Sequence, residues 1–81
     1  MSARAVLLEV RLTDSAADVL EQVDELLPER ARRDHEFTPV AMDGGRTWIV
    51  RCVLADAAQA ASLEAHPDVV GVWPDSNVAP F

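Results

Sequence analysis

The chain is poor in cysteine, aromatics, glycine and positive charge, and each shortage excludes something. Its single cysteine, Cys52, allows no internal disulfide and leaves the redox compartment open. That residue lies in an apolar stretch, where a buried structural thiol is the ordinary role and a nucleophile the exception. Acidic residues outnumber basic ones by 14 to 7 and the net charge is −7, which argues against nucleic acid or an anionic membrane as partner. No apolar run approaches the ~18–20 residues of a membrane span. Met1-Ser2-Ala3-Arg4 does not read as a signal peptide. As it stands the chain is expected to be cytoplasmic; with a leader removed, it would be secreted. Only two histidines are present, His35 and His66, and no His/Cys cluster has metal spacing, so no metal and no cofactor is expected.

The 81 residues suffice for one domain, which would bury only roughly 60–65% of its unfolded surface. With 49% hydrophobic residues the chain is not a disordered tail. A small, modestly stable domain fits a module completed by a partner.

Ala5 to Leu12 reads as a first strand, with Val6, Leu8, Val10 and Leu12 on one face and Leu7, Glu9 and Arg11 on the other. Thr13, Asp14 and Ser15 are helix-start residues, with Asp18 adding negative charge in the first turn. A helix to about Leu27 places Ala16, Val19, Leu20, Val23, Leu26 and Leu27 on one stripe and Asp18, Glu21, Asp24 and Glu25 in water. Pro28 to Glu36 is a charged connection; its three arginines allow either a solvated loop, the favoured reading, or a small anion site. Phe37 to Met42 reads as a second strand, at an edge because of Pro39. Asp43-Gly44-Gly45 signals a tight turn and lacks the pattern of a phosphate loop.

Arg46 to Leu54 is the third strand, with Trp48, Val50, Cys52 and Leu54 opposed to Thr47, Ile49, Arg51 and Val53. Asp56 and Gln59 have capping-box spacing ahead of a helix over Ala57 to Ala65. Pro67 ends that helix, and Val69 to Trp73 forms the last strand, Val70 and Val72 on one face and Val69, Gly71 and Trp73 on the other. The fold class is therefore α+β. The βαββαβ order implies a ferredoxin-like, four-stranded antiparallel sheet with two helices on one face. If the helices cover the side of Val6, Leu8 and Val50, the open face carries Leu7, Ile49, Val53, Val69 and Trp73. That is more apolar surface than an open face normally shows, and it marks either contact with another protein or a homodimer through the open sheet face. Trp73 is its expected anchor.

Leu63, His66-Pro67-Asp68-Val69, Val72 and Asp75, followed by an apolar tail, resemble the end of a subtilisin propeptide, the peptidase-inhibitor family of subtilase prodomains. In that family a Leu-x-x-x-Pro-x-Val-x-x-Val-x-x-Asp pattern closes the last helix and strand. The resemblance implies a domain over residues 1–77 and a tail, Val78-Ala79-Pro80-Phe81, that enters a protease cleft as a product-like strand. Phe81 would lie on the acyl side of the cut, and Pro80 would stiffen the tail. Leu7, Ile49, Val53, Trp73 and Asp75 would meet the protease surface. Asp75 matches one of the family's acids; the other, two residues earlier, is here Trp73, which suggests a more hydrophobic contact. A domain edge with no role for the tail is the plainer alternative.

Catalytic groups are sparse: neither histidine has a nucleophile beside it, and the carboxylates are spread over solvated helix faces. No enzyme activity is expected. Two functions remain: an inhibitor and chaperone of a subtilisin-like serine protease, or an interaction or oligomerisation domain unrelated to proteases.

Overall fold

The computed structural model describes residues 4–13 and 18–74. In chain order these form β1 (Arg4–Arg11), α1 (Val19–Leu26), β2 (Arg32–Arg33), β3 (Val40–Met42), β4 (Thr47–Leu54), α2 (Ala57–Glu64) and β5 (Val69–Pro74). The result is a small α+β domain: five antiparallel strands and two helices among the described residues. The sheet runs β2-β4-β1-β5, and β3 also pairs with β4.

Five strands replace the expected four because one edge position is divided. β2 lies opposite Cys52 and Val53 and β3 opposite Thr47 to Ile49, so each borders a different part of β4. The second strand read from the sequence shrinks to Val40–Met42, with Pro39 just outside it, as the missing N–H demands. β2 falls within the stretch whose sequence favours a solvated loop. Two residues show no period; side-chain anchors hold them instead. The Arg33 guanidinium bonds both oxygens of Asp24 on α1, at 3.0 and 3.2 Å, which raises the arginine pKa further and keeps it charged.

The core lies on one face of the sheet. Val6, Leu8 and Val10 of β1 stand opposite Cys52, Val50 and Trp48 of β4. All but Trp48 are buried; its indole packs half-buried on the cluster and donates to the Gly45 carbonyl at 3.1 Å. Val19 and Val23 of α1 and Leu63 of α2 join the same cluster. Both helices therefore use the alternate-residue stripe that a half-buried strand must hide. Each buried Val or Leu contributes roughly 1.5–3 kcal/mol.

Helix starts differ in detail from expectation. Asp18 is the N-cap of α1, accepting from the Glu21 N–H at 2.8 Å, rather than a first-turn residue. Asp14, Ser15 and Ala16 lie outside the described residues. Asp56 caps α2, and the Gln59 amide oxygen reaches back to the Ala55 N–H at 2.7 Å. Its Nε2 donates to the Glu29 carbonyl at 2.8 Å, tying α2 to the loop before β2. Asp43, Gly44 and Gly45 all have positive φ in the turn into β4, as the glycines there suggested.

Gln22 shows how α1 is fastened to β1. It is only 6% exposed; its Nε2 donates to the Arg11 carbonyl at 2.6 Å, and its Oε1 accepts from the Thr13 backbone N–H at 2.9 Å. Replacing it leaves two backbone groups without these partners. Gln22→Ala is expected to lower stability by about 1–3 kcal/mol, measured as a shifted urea midpoint with an unchanged slope.

Candidate functional site

Period-two alternation places Ala5, Leu7, Glu9 and Arg11 of β1 on the sheet face opposite the core, with Thr47, Ile49, Arg51 and Val53 of β4. Cross-strand rows fix their neighbours. Leu7 stands between Trp73 and Arg51, Ile49 between Glu9 and Val40, and Val53 between Ala5 and Arg32. Leu7, Ile49 and Val53 are partly buried, while Trp73 is 46% exposed. Four of the residues expected at the interface thus share one face.

Val69 does not, and this corrects the sequence reading of β5. Glu9 stands opposite Gly71 but Val10 stands opposite Val69, so Val70 is an extra residue in the ladder. This bulge shifts the side-chain phase within the strand. Val69 turns into the core at 8% exposure and Val70 turns out at 46%. Beyond the bulge the expected phase returns, with Val72 against the core and Trp73 exposed. An uninterrupted period of two could not reveal it; the one local signal is Gly71.

Gly71 also makes room for Trp73. A Cβ added there would come within 2.5 Å of the indole ring, so the ring lies over the bare glycine backbone. Trp73 is thereby held along the strand at the end of β5, beside Leu7. Asp75 and Val78, Ala79, Pro80 and Phe81 lie outside the described residues.

The polar groups of this face are organised by pairs. Glu9 accepts from the Thr47 hydroxyl at 2.8 Å. Asp34, just after β2, accepts from Arg51 at 2.6 Å and from the Glu36 N–H at 2.9 Å, while its own N–H donates to the Arg51 carbonyl at 2.8 Å. The Glu36 N–H, and then the Arg51 guanidinium, hold the Asp34 carboxyl below its ordinary pKa. Around this pair, Arg32, His35, Glu36 and Val53 line an open recess of about 380 Å³. Of the arginines read as a candidate anion site, Arg33 is committed to Asp24, Arg32 borders this recess, and Arg30 lies in the loop before β2 with φ 73°.

The remaining reactive groups have structural places. His66 Nδ1 accepts from the Asp68 N–H at 3.1 Å, closing the turn from α2 to β5. Burial pushes the Cys52 thiol up to about 12. Among the described residues no group of three or more His, Cys, Asp or Glu is placed to hold a metal ion, and no helix is long and apolar enough to cross a membrane.

Comparison of the chain with protein-family models, with curated proteins and with solved structures found no match.

Two outcomes test the chemistry. Because the Asp34 pKa is depressed on folding, the carboxylate stabilises the fold fully above its unfolded value near 3.8, and that contribution is lost as pH falls through the folded value. Urea midpoints taken between roughly pH 2 and 7 should fall at the acid end, and Asp34→Asn should flatten that limb. Cys52 should resist iodoacetamide at roughly pH 8 in the folded protein and react once the chain is unfolded in urea.

Proposed function

We propose that this chain is a propeptide-like inhibitor and chaperone of a subtilisin-like serine protease. Its frame would be ferredoxin-like βαββαβ, with β2 and β3 sharing the place of one edge strand. The order β2-β4-β1-β5, antiparallel throughout, supports that arrangement. So do the positions of the closing motif: Leu63 and Val69 are buried and Val72 packs on the core, the roles that the family pattern would give them.

The observation that carries the reading is the placement of Trp73. It is exposed on the open face beside Leu7, in the last strand before residues 75–81. A half-exposed tryptophan on an apolar sheet face is a strong anchor for a protein partner. From there the chain leads to Val78-Ala79-Pro80-Phe81, which would lie in the protease cleft as an extended product, pairing by its main chain. Asp75 would meet the protease surface, with Ile49 and Val53 extending the contact across β4. The inhibitor would be non-catalytic and competitive.

The second reading is an interaction or oligomerisation domain unrelated to proteases, because the same exposed Trp73 would serve a homodimer equally well. A panel of subtilisin-type proteases separates the two. The intact chain should inhibit at least one competitively, at micromolar or tighter Ki, and a chain ending at Asn77 should lose most of that inhibition. Trp73→Ala should weaken it by roughly thirty-fold, the effect of a central hot spot. Absence of inhibition across the panel, with self-association that survives tail removal and fails in Trp73→Ala, would establish the second reading instead.

A further inference from the structure

Glu9 sits at the centre of the open face. It stands opposite Ile49 of β4 on one side and Gly71 of β5 on the other. The Trp73 indole fills the space where a Gly71 side chain would stand, with ring atoms 2.5 and 2.7 Å from the position of the missing Cβ. Residues opposed across antiparallel strands have Cβ positions only about 4.5–5.5 Å apart. The Glu9 carboxylate and the Trp73 indole are therefore neighbours, although they belong to different strands. Any surface that covers both Trp73 and Ile49 must also cover Glu9.

Glu9 is partly buried, and the Thr47 hydroxyl, a neutral donor, bonds one of its oxygens at 2.8 Å. Among the described residues it has no ion pair. The cations of this face are engaged elsewhere. Arg51 pairs with Asp34, Arg32 shares its recess with Glu36, and Arg11 donates to the Pro67 carbonyl at 3.2 Å. Taking a charge out of water without a counter-charge is costly, so a partner that docks here must supply the opposite sign.

We propose that the docked protease presents a cationic side chain, arginine or lysine, that lies against the Trp73 indole and pairs with Glu9. The proposal rests on the reading that the face binds a subtilisin-like protease, and it names the chemistry at the middle of that contact. Two features select a cation. The carboxylate supplies a charge-assisted acceptor, and the face of an indole ring attracts positive charge. The chain's net charge of −7 also draws a cationic surface toward it. An acid at the same place on the partner would meet Glu9 as a like charge.

The test uses the intact chain and the panel protease that it inhibits best, with Ki measured at low and high salt. Glu9→Gln keeps an oxygen for the Thr47 hydroxyl and removes only the charge. It should raise Ki by roughly thirty-fold at low salt and by less at high salt. Glu25→Gln removes the same charge from the exposed side of α1 and should leave Ki within about two-fold. In a chain carrying both Glu9→Gln and Trp73→Ala, the combined loss should be smaller than the product of the separate losses, because both residues hold one side chain. Far-UV circular dichroism and the urea midpoint verify that each variant is folded. If Glu9→Gln leaves Ki unchanged or lowers it while Trp73→Ala raises it, the bound cation is wrong and the protease reading stands. Separate losses that simply multiply overturn the shared cation in the same way. If the intact chain inhibits no member of the panel, both fail.

Discussion

One constraint shapes this domain: two eight-residue helices can cover one side of the sheet and no more. β1 and β4 are both eight residues long and pair along their whole length. Their alternate residues present a stripe of Val6, Leu8, Val10, Val50, Cys52 and Leu54 that must leave water. α1 and α2 meet that need with Val19, Val23 and Leu63. The helices leave the other side to short segments such as Asp34–Glu36, and Leu7, Ile49 and Val53 there remain only partly buried. The face bearing Leu7, Ile49, Val53 and Trp73 is the geometric remainder of the core.

The polar bonds fix how this layer is held. Gln22 fastens α1 to the end of β1, Arg33 and Asp24 fasten α1 to β2, and Gln59 fastens α2 to the loop before β2. Asp34 and Arg51 link β2 to β4 on the opposite side of the sheet. In the divided edge, β2 therefore depends on side chains rather than on a long ladder, while β3 is held by its pairing with Thr47 to Ile49. Both strands are short and β2 is charged, which makes a poor template for further strand pairing. β5, at the other edge, is uncharged from Val69 to Pro74 and relies on its bulge and on Pro74. The two edges are thus managed by different means.

Trp73 gains its position from the backbone beneath it. Gly71 offers no Cβ, so the indole lies over its backbone, and Trp73 stands opposite Leu7 in the next strand. The bulge at Val70 keeps Val69 and Val72 both on the core side, although residues three apart in a regular strand face opposite sides. The closing stretch of the chain thereby packs Leu63, Val69 and Val72 inward and shows Val70 and Trp73 outward.

By itself, the sequence determined the long elements. Strict alternation in β1 and β4, the apolar stripe of α1, the Asp56–Gln59 cap and the Asp43-Gly44-Gly45 turn are local patterns, and each requires only near neighbours along the chain. The outward placement of Leu7, Ile49, Val53 and Trp73 followed from the same alternation. Tertiary structure decided what has no period. β2 exists because Asp24 and Arg51 reach Arg33 and Asp34 from other elements. The inward turn of Val69 and the outward turn of Val70 depend on register against Glu9 and Val10. A bulge and a two-residue bridge are properties of a pair of strands, so neither is written in either strand alone.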